Sequence, residues 1–377
     1  MGLRHLLLGL LSSLPLCAQS ATGAGHLSGA GMPAEVAGEA GLSRVKGVTI
    51  SCYSWDWEWG QPAFGNELDR LQELGVNWVA IHPYASIQGD GEVRWKPEAL
   101  EPGAPAVYLS LPIEAAHARG MGILIKPHLA YWGSRFGWRG EIEFEEPEQR
   151  ARFWQTYKRW IVDLARATGA ADSICVGTEL DGLLASEAEW RALIAELRGV
   201  TQAHLTYASN WDRFEEVGFW DALDVIGVQA YFPLSESEDP SEAMLLEGWQ
   251  AWLARLKRLH LATGKPVVFT ELGYDDSTLA ALRPWEDDSR GRRSSTNPEV
   301  LALQERCLKV AFGVLESESA WLRGAFLWKW FVSGGQTAER YARHSRGEGG
   351  GSFRMDRPAL HALMRKAWGP PRDPKAE

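Results

Sequence analysis

Short apolar runs alternate along this chain with longer stretches in which apolar residues recur every three or four positions. Runs of the first kind are typical of strands buried on both faces of a parallel sheet, and stretches of the second kind are typical of amphipathic helices. Strand-like runs occupy residues 45–52, 77–84, 122–129, 172–180, 204–210, 223–232, 265–274 and 323–331. Helix-like stretches occupy residues 66–74, 111–120, 146–168, 187–200, 242–264, 298–315 and 358–368. We therefore predict eight β/α pairs in one chain.

Strands and helices that alternate in this way build either a closed barrel or an open, doubly wound sheet. No linker interrupts the alternation, and one barrel of this kind needs about 250 residues. We therefore predict a single (β/α)8 TIM barrel of the α/β class over residues 44–370. Gly120 and Gly264 end two of the helices, as helix C-termini prefer. The longest loops, 85–109 and 275–296, are expected to shape a cleft.

The first residues are typical of a secretory signal peptide. The apolar run 6–16 follows a short polar head and is too short to cross a bilayer, and small residues lie just after it. We expect residues 1–20 to be removed on export and the Gly-, Ala- and Ser-rich residues 21–43 to form a flexible leader. This places the protein outside the cell or in the periplasm, with a lipid anchor at Cys17 as the alternative. No later segment predicts a transmembrane helix.

Charge and cysteine content exclude several classes of function. Acidic residues outnumber basic ones by 49 to 39, and the basic residues are scattered, which disfavours nucleic acid and anionic membranes as partners. Cys52, Cys175 and Cys307 remain after the leader; their odd number and spacing predict neither a disulfide framework nor a metal site. The 19 Trp exceed what a core of this size needs, and indole faces stack well on sugar rings. Packing explains any single Trp equally well. Nothing here indicates the oligomeric state.

Polar, ionisable and aromatic residues collect at the carboxyl ends of the predicted strands, which is the face that builds the active site in this fold. In chain order they are Trp55, Trp57, His82, Tyr84, Lys126, His128, Glu179, Asn210, Trp211, Tyr231, Glu271, Trp328 and Trp330. Two of these residues, Glu179 and Glu271, are acidic, and a hydrophobic core would not be stabilised by them because burying an unpaired charge is costly. The clustering indicates a functional site that suits a neutral, sugar-like substrate.

Glu179 and Glu271 each follow a threonine at the end of an apolar run, in ICVGTEL and VVFTELGY. These runs are the fourth and seventh strands, which face each other across a closed barrel, so the two carboxyl groups are expected to converge on one bond. Glycoside cleavage needs one protonated carboxyl group at the leaving oxygen and one carboxylate facing the anomeric carbon. A separation of about 5–5.5 Å would make the enzyme retaining. A structural ion pair explains either Glu alone, but it explains the matched pair poorly.

Other chemistries find less support in the same residues. His82 and His128 on neighbouring strands resemble half of a metal site, but no HxH pair opens the first strand and no Asp ends the eighth. A Schiff base at Lys126 would need an isolated, desolvated lysine, whereas this one lies beside a histidine and near acids. No Gly-rich loop has the context of a phosphate-binding motif. We therefore predict no metal and no cofactor.

The motif VGTEL on the fourth strand, FTELGY on the seventh and a Trp on the eighth resemble clan A of the glycoside hydrolases. In that clan the acid/base Glu ends the fourth strand and the nucleophile Glu ends the seventh. Most members carry Asn before the acid/base, where this chain has Thr178. The combination of GTE on the fourth strand, KPH on the third and AYFPL on the sixth resembles the pattern of glycoside hydrolase family 113. The characterised members of that family are β-mannanases. The resemblance covers about residues 44–368.

This resemblance implies roles for individual residues. Glu179 would be the acid/base, Glu271 the nucleophile, and the Tyr231 hydroxyl would orient the nucleophile. Further contacts to the sugar would come from Lys126, His128, His82, Asn210, Trp211, Trp328, Trp57 and Trp132. Trp328 would form the floor beneath the sugar whose bond is cut.

The expected activity is hydrolysis of β-1,4-linked mannose-containing poly- or oligosaccharides by double displacement. A β-glucanase or an exo-acting β-mannosidase of the same clan is the alternative among enzymes. A non-catalytic carbohydrate-binding barrel is the alternative outside them, and the presence of both Glu disfavours it. Sequence alone does not determine the contacts that read the 2-hydroxyl, nor whether the enzyme acts inside chains or at their ends.

Overall fold

Eight parallel strands close into a barrel, as the alternation of apolar runs predicts. A computed structural model describes residues 43–52, 57–95, 106–286, 297–332 and 353–369. The strands, numbered along the chain, are β1 (Val45–Ser51), β2 (Trp78–Ile81), β5 (Gly122–Ile125), β7 (Ser173–Thr178), β8 (His204–Asn210), β9 (Val225–Gln229), β10 (Val267–Leu272) and β11 (Leu322–Phe331). Neighbours around the barrel follow chain order, and β11 pairs with β1 to close it. The predicted fold class is confirmed. The predicted signal peptide and all but the last residue of the leader lie outside the described residues.

Two of the predicted strands, 77–84 and 122–129, divide near a proline. Proline lacks an N–H and interrupts a strand ladder, and Pro83 and Pro127 each lie just beyond the end of a barrel strand. The chain then enters a separate three-stranded sheet made of β3 (Tyr84–Ile87), β4 (Val93–Arg94) and β6 (His128–Ala130). In that sheet Tyr84 pairs with His128. The sheet takes the place of the first part of the predicted loop 85–109, and it brings the candidate site residues Tyr84 and His128 next to each other.

The α-helices of the described residues follow the predicted helix-like stretches closely. They are α1 (Pro62–Glu73), α2 (Val107–His117), α3 (Pro147–Ala167), α4 (Glu187–Arg198), α5 (Glu242–Thr263), α6 (Pro298–Ser317) and α7 (Pro358–Trp368). Residues 211–224 join β8 to β9 through two short 3-10 turns and no α-helix. The sequence shows no helix-like stretch in this connection either, so the predicted total of eight β/α pairs is wrong at the fifth pair, whereas the predicted positions of the helices agree with the structure.

Helix ends agree with the local sequence signals. The Ser241 side chain accepts a hydrogen bond from the backbone N–H of Met244 at 3.3 Å and caps α5. Gly264 ends that helix with φ of 70°, a left-handed conformation that glycine adopts without steric cost. Gly120 has φ of 67° after α2, so both predicted glycine stops are confirmed.

Two apolar layers hold the barrel together. Inside it, Trp78 and Phe326 meet edge to face at 6.3 Å and fill the end where the strands begin. Outside it, the helices pack on the strands, and Trp59, Trp190, Trp249 and Trp330 are fully buried. Much of the tryptophan content thus serves packing, and the carboxyl end of the barrel is left for polar groups. Within the described part of the chain, no helix has the length and apolarity that crossing a membrane requires.

Candidate active site

The carboxyl ends of four barrel strands bring charged and amide side chains together. Lys126 follows β5, Glu179 follows β7, Gln229 ends β9 and Glu271 lies near the end of β10. Lys126 and Gln229 have no exposed surface, and Glu271 is 4% exposed. Burial of so many polar groups at one place requires that they satisfy one another.

Glu271 is held by two donors. The Tyr231 hydroxyl donates to its Oε2 at 2.6 Å, and the Lys126 ammonium donates to its Oε1. His128 lies beside the same oxygen, with Nε2 at 3.8 Å. The predicted contact between Tyr231 and Glu271 is present. A carboxylate fixed by a cation and a hydroxyl has a defined orientation and is suited to attack as a nucleophile.

Glu179 has a different environment. Its backbone φ is 54°, in the left-handed region that residues with a side chain seldom adopt and that often marks functional sites. Gln229 Nε2 donates to its Oε1, and the Arg139 guanidinium lies 3.3 Å from its Oε2. Burial raises the pKa of Glu179 to about 7; the Arg139 charge opposes the rise and the Glu271 charge adds to it. A carboxyl group with such a pKa carries a proton at neutral pH part of the time, as a general acid requires.

A chain of hydrogen bonds connects the two carboxyl groups. Lys126 donates to Glu271 and also to Gln229 Oε1, the latter at 3.3 Å, while the amide of Gln229 donates to Glu179. Only two side chains therefore separate Glu179 from Glu271. The prediction that the fourth and seventh strands bring two carboxyl groups to one place agrees with this arrangement.

Neutral aromatic rings form one wall of the site. His82 stacks on His128 at 5.0 Å, and Trp328 lies 5.5 Å and 6.0 Å from the two rings. Burial lowers the pKa of both histidines well below its usual value, and the cations of Lys126 and Arg139 lower it further, which favours the neutral form of both rings. Ser51 Oγ lies 2.8 Å from His82 Nε2. Trp328 keeps part of its surface exposed and receives the Lys126 ammonium 4.8 Å from its ring.

Trp132 extends this wall outward. Trp132 is 57% exposed, and its ring lies 5.5 Å from that of Tyr84. Tyr84 in turn meets His82 and His128 edge to face at 5.4 Å and 5.5 Å. The predicted residues Lys126, His128, His82, Trp328 and Trp132 thus belong to one continuous group.

Other predicted sugar contacts lie elsewhere or are engaged by protein groups. Asn210 Nδ2 donates to Asp181 at 2.8 Å. Trp211 stacks on Trp285 at 4.7 Å and meets Trp252 edge to face at 5.3 Å, which makes a second aromatic cluster. The side chain of Trp57 lies outside the described residues.

Trp330, at the same strand end as Trp328, does not face the site. Its indole N–H donates to Glu67 of α1 at 2.7 Å, and it is buried between barrel and helices.

Two members of the site were missed by sequence reasoning. Gln229 is the polar residue within the apolar run VIGVQAYF, a signal that would have indicated it. Arg139 lies in the long connection after β6, where nothing in the surrounding sequence marks it.

Among the described residues, no three His, Cys, Asp or Glu side chains are grouped so as to hold a metal ion.

Comparison with known proteins gives a matching family and similar structures. The sequence model of Glycoside Hydrolase Family 113 matches residues 48–345. The GH113 β-mannanase AaManA from Alicyclobacillus acidocaldarius, solved in complex with ManMIm, shares 25% identity and has a TM-score of 0.69; the match covers 86% of this chain and 97% of AaManA. A GH113 β-1,4-mannanase shares 22% identity with a TM-score of 0.68, covering 86% and 99% of the two chains.

More distant structures support the fold alone. A glycoside hydrolase family 5 mannosidase from Rhizomucor miehei shares 12% identity with a TM-score of 0.55, covering 86% of this chain and 94% of its own. Among curated proteins, none matches the sequence significantly.

Proposed function

Because this chain belongs to Glycoside Hydrolase Family 113, we propose that it hydrolyses β-1,4-mannosidic linkages with retention of anomeric configuration. That the chain is a glycoside hydrolase follows from the family. The retaining mechanism and the mannan substrate are the proposal. The close linkage of Glu179 and Glu271 through Lys126 and Gln229 supports the mechanism, and the likeness to a β-mannanase supports the substrate.

Each carboxyl group has the environment that one role in double displacement requires. Glu179 donates its proton to the glycosidic oxygen as the bond to the leaving sugar breaks, and Glu271 forms a covalent bond to the anomeric carbon. Glu179, now ionised, then takes a proton from water, whose oxygen attacks the anomeric carbon and releases Glu271. The pKa of about 7 at Glu179 suits both the donor and the acceptor step.

Lys126 and Tyr231 prepare Glu271 for attack. Their contacts leave the carboxylate little freedom to rotate, so that little reorganisation is needed when the glycosyl bond forms. Gln229 connects Lys126 to Glu179 by hydrogen bonds and thereby helps to fix the position of one carboxyl group relative to the other.

Two observations favour a neutral β-mannan as substrate. The solved structure that shares 25% identity is named a β-mannanase. Each buried cation of the site already faces a carboxylate, Lys126 at Glu271 and Arg139 at Glu179, so that neither is left to bind an acidic sugar.

The test is a product profile from linear mannan, glucomannan and cello-oligosaccharides, with proton NMR of the first products. We expect a ladder of manno-oligosaccharides whose new reducing ends appear first as the β-anomer. A ladder from cello-oligosaccharides alone would contradict the mannan assignment, and mannose as the sole early product would indicate exo action. Early α-anomer would contradict retention.

We further propose that the protein is exported, on the strength of the signal-like residues 1–20. Mass spectrometry of the mature protein should find its N-terminus near residue 21. A mature chain that begins at a lipidated Cys17 would favour the anchored alternative, and an intact Met1 would contradict export.

A further inference from the structure

Arg139 is a buried cation placed against the carboxyl group of Glu179. It is 9% exposed, and its Nη1 lies 3.3 Å from Glu179 Oε2. A buried guanidinium needs a counter-charge. Its Nε is buried without a hydrogen-bond partner among the described residues. The contact with Glu179 is therefore the main compensation that the structure offers for burying Arg139.

The local backbone holds this contact in place. Arg139 begins a short 3-10 turn, Arg139–Glu141, which packs against the segment that follows Glu179. Gly182 permits the approach, since a Cβ there would lie 2.7 Å from the carbonyl oxygen of Ile142. Glu179 itself leaves the barrel in a left-handed conformation, and its N–H donates to Ala208 O at 2.9 Å.

Both oxygens of Glu179 face donors. Lys126 has only donor hydrogens and contacts Gln229 Oε1, so the amide nitrogen of Gln229 must face Glu179 Oε1. Arg139, which also has only donors, occupies the side of Oε2. Neither neighbour can accept a proton from Glu179, so both stabilise its ionised form.

We propose that Arg139 is a positioning residue that orients the Glu179 carboxyl group and sets the upper limit of the pH range of the enzyme. The inference rests on the proposed function, because it takes Glu179 to be the acid. Above that limit Glu179 is ionised and has no proton for the leaving sugar.

The other charges that face Glu179 act in known directions. Burial, Glu271 and Asp181 raise the pKa of Glu179, whereas Arg139 and Lys126 lower it. Arg139 is the largest of the charge effects, so removing it should move the pKa upward. An opposite charge at such a distance lowers a carboxyl pKa by about 1–3 units.

The experiment compares profiles of kcat/KM against pH for the wild type and Arg139→Gln on manno-oligosaccharides. We expect the alkaline limb of Arg139→Gln to lie at higher pH by about 1–3 units, and Arg139→Lys to restore it toward the wild-type position. Arg139→Met, which keeps an unbranched apolar stem, replaces the Gln variant if the latter does not fold.

Arg135→Gln is the matched control. Arg135 lies in the same connection, donates to the carbonyl oxygen of Glu143 at 2.9 Å and lies over Phe136 at 4.9 Å. Its charge does not appear among the main influences on Glu179. The alkaline limb of this variant should coincide with that of the wild type.

A second readout separates positioning from general loss of structure. An aryl β-mannoside with a good leaving group needs no proton from Glu179 in the first step, so Arg139→Gln should cleave it with less than a threefold loss in kcat/KM.

Two outcomes would overturn the proposal for Arg139. An alkaline limb that stays in place or moves to lower pH contradicts it, and so do equal losses on activated and natural substrates. The proposed function is tested separately from the role of Arg139. It is contradicted if Glu179→Ala retains full activity on mannan, independently of the results for the Arg139 variants.

Discussion

Glu179 and Glu271 follow threonine in nearly the same local sequence, yet the fold gives them opposite surroundings. The side chain of Glu271 is 5% exposed and that of Glu179 is 21% exposed. Glu271 lies within β10, where its carbonyl oxygen accepts a hydrogen bond from the N–H of Ala230 at 2.7 Å. Glu179 lies one residue beyond β7 in a left-handed conformation. Two similar motifs therefore acquire different chemistry from their neighbours rather than from their own residues.

The neighbours explain the division of roles. A cation and a hydroxyl hold Glu271 in one orientation, as a nucleophile requires, and burial raises the pKa of Glu179 toward neutrality, as a proton donor requires. If the two residues had the opposite roles, the acid would be Glu271, which contacts the Lys126 ammonium, and the nucleophile would be Glu179, whose side chain is partly exposed. The first three of the following experiments each change one side of this comparison, and the fourth changes the aromatic wall beside it.

Glu271→Ala should produce the largest loss, with kcat on mannan falling by about 10⁶-fold, as for removal of another catalytic nucleophile. Affinity for manno-oligosaccharides, measured by calorimetry, should change little. Added azide should restore cleavage of an activated aryl mannoside and give the α-mannosyl azide, because azide attacks from the face that Glu271 occupied. Glu67→Gln, a buried acid on the outside of the barrel, is the control and should keep kcat near the wild-type value. If the product were the β-mannosyl azide, Glu271 would be the acid/base and Glu179 the nucleophile.

Glu179→Ala should lower kcat/KM on mannan by about 10³-fold, the usual contribution of general acid–base catalysis. On an aryl mannoside with a good leaving group the first step should be nearly unaffected, so that a burst of phenolate precedes slow turnover. Azide should speed turnover and give the β-mannosyl azide. Equal losses on both kinds of substrate would show that Glu179 is not the acid.

Tyr231→Phe removes the hydroxyl that donates to Glu271 at 2.6 Å. A hydrogen bond to a charged group contributes about 1.5–3 kcal/mol, so kcat should fall by about 10- to 100-fold, with a smaller change in KM. Tyr157→Phe is the control, since this tyrosine donates to Val176 O at 2.8 Å behind the barrel wall. That variant should unfold at a lower temperature but keep its kcat. A wild-type kcat in Tyr231→Phe would mean that Lys126 alone orients Glu271.

Trp132→Ala should have the smallest effect. Aromatic stacking contributes about 0.5–1.5 kcal/mol, so KM for long manno-oligosaccharides should rise by about two- to tenfold. KM for mannobiose and kcat should stay unchanged, because Trp132 lies at the outer end of the aromatic wall, against Tyr84. Trp138→Ala, at a second exposed tryptophan of the same connection, is the control. An equal rise in KM for both variants would assign the effect to the loop rather than to stacking.

Most of the architecture was predictable from the sequence. Apolar runs that are buried on both faces mark the barrel strands, and the glycines after α2 and α5 mark helix ends, because these signals depend on local periodicity and backbone conformation. The connection between β8 and β9 shows no helical period in the sequence and forms no α-helix in the structure, so only the total of eight β/α pairs was wrong. Pro83 and Pro127 did carry a signal for the small extra sheet, but which strands pair there depends on contacts distant in sequence.

The site divides in the same way. The sequence by itself determined that Glu179, Glu271, Tyr231 and Lys126 come to the carboxyl end of the barrel, because the order and the ends of the strands can be read from the local pattern of apolar residues. Only the tertiary structure decided that Gln229 bridges the carboxyl groups, that Asn210 is engaged by Asp181, and that Arg139 reaches Glu179. Burial and the approach of distant charges set the state of an ionisable group, and both arise only when the barrel closes.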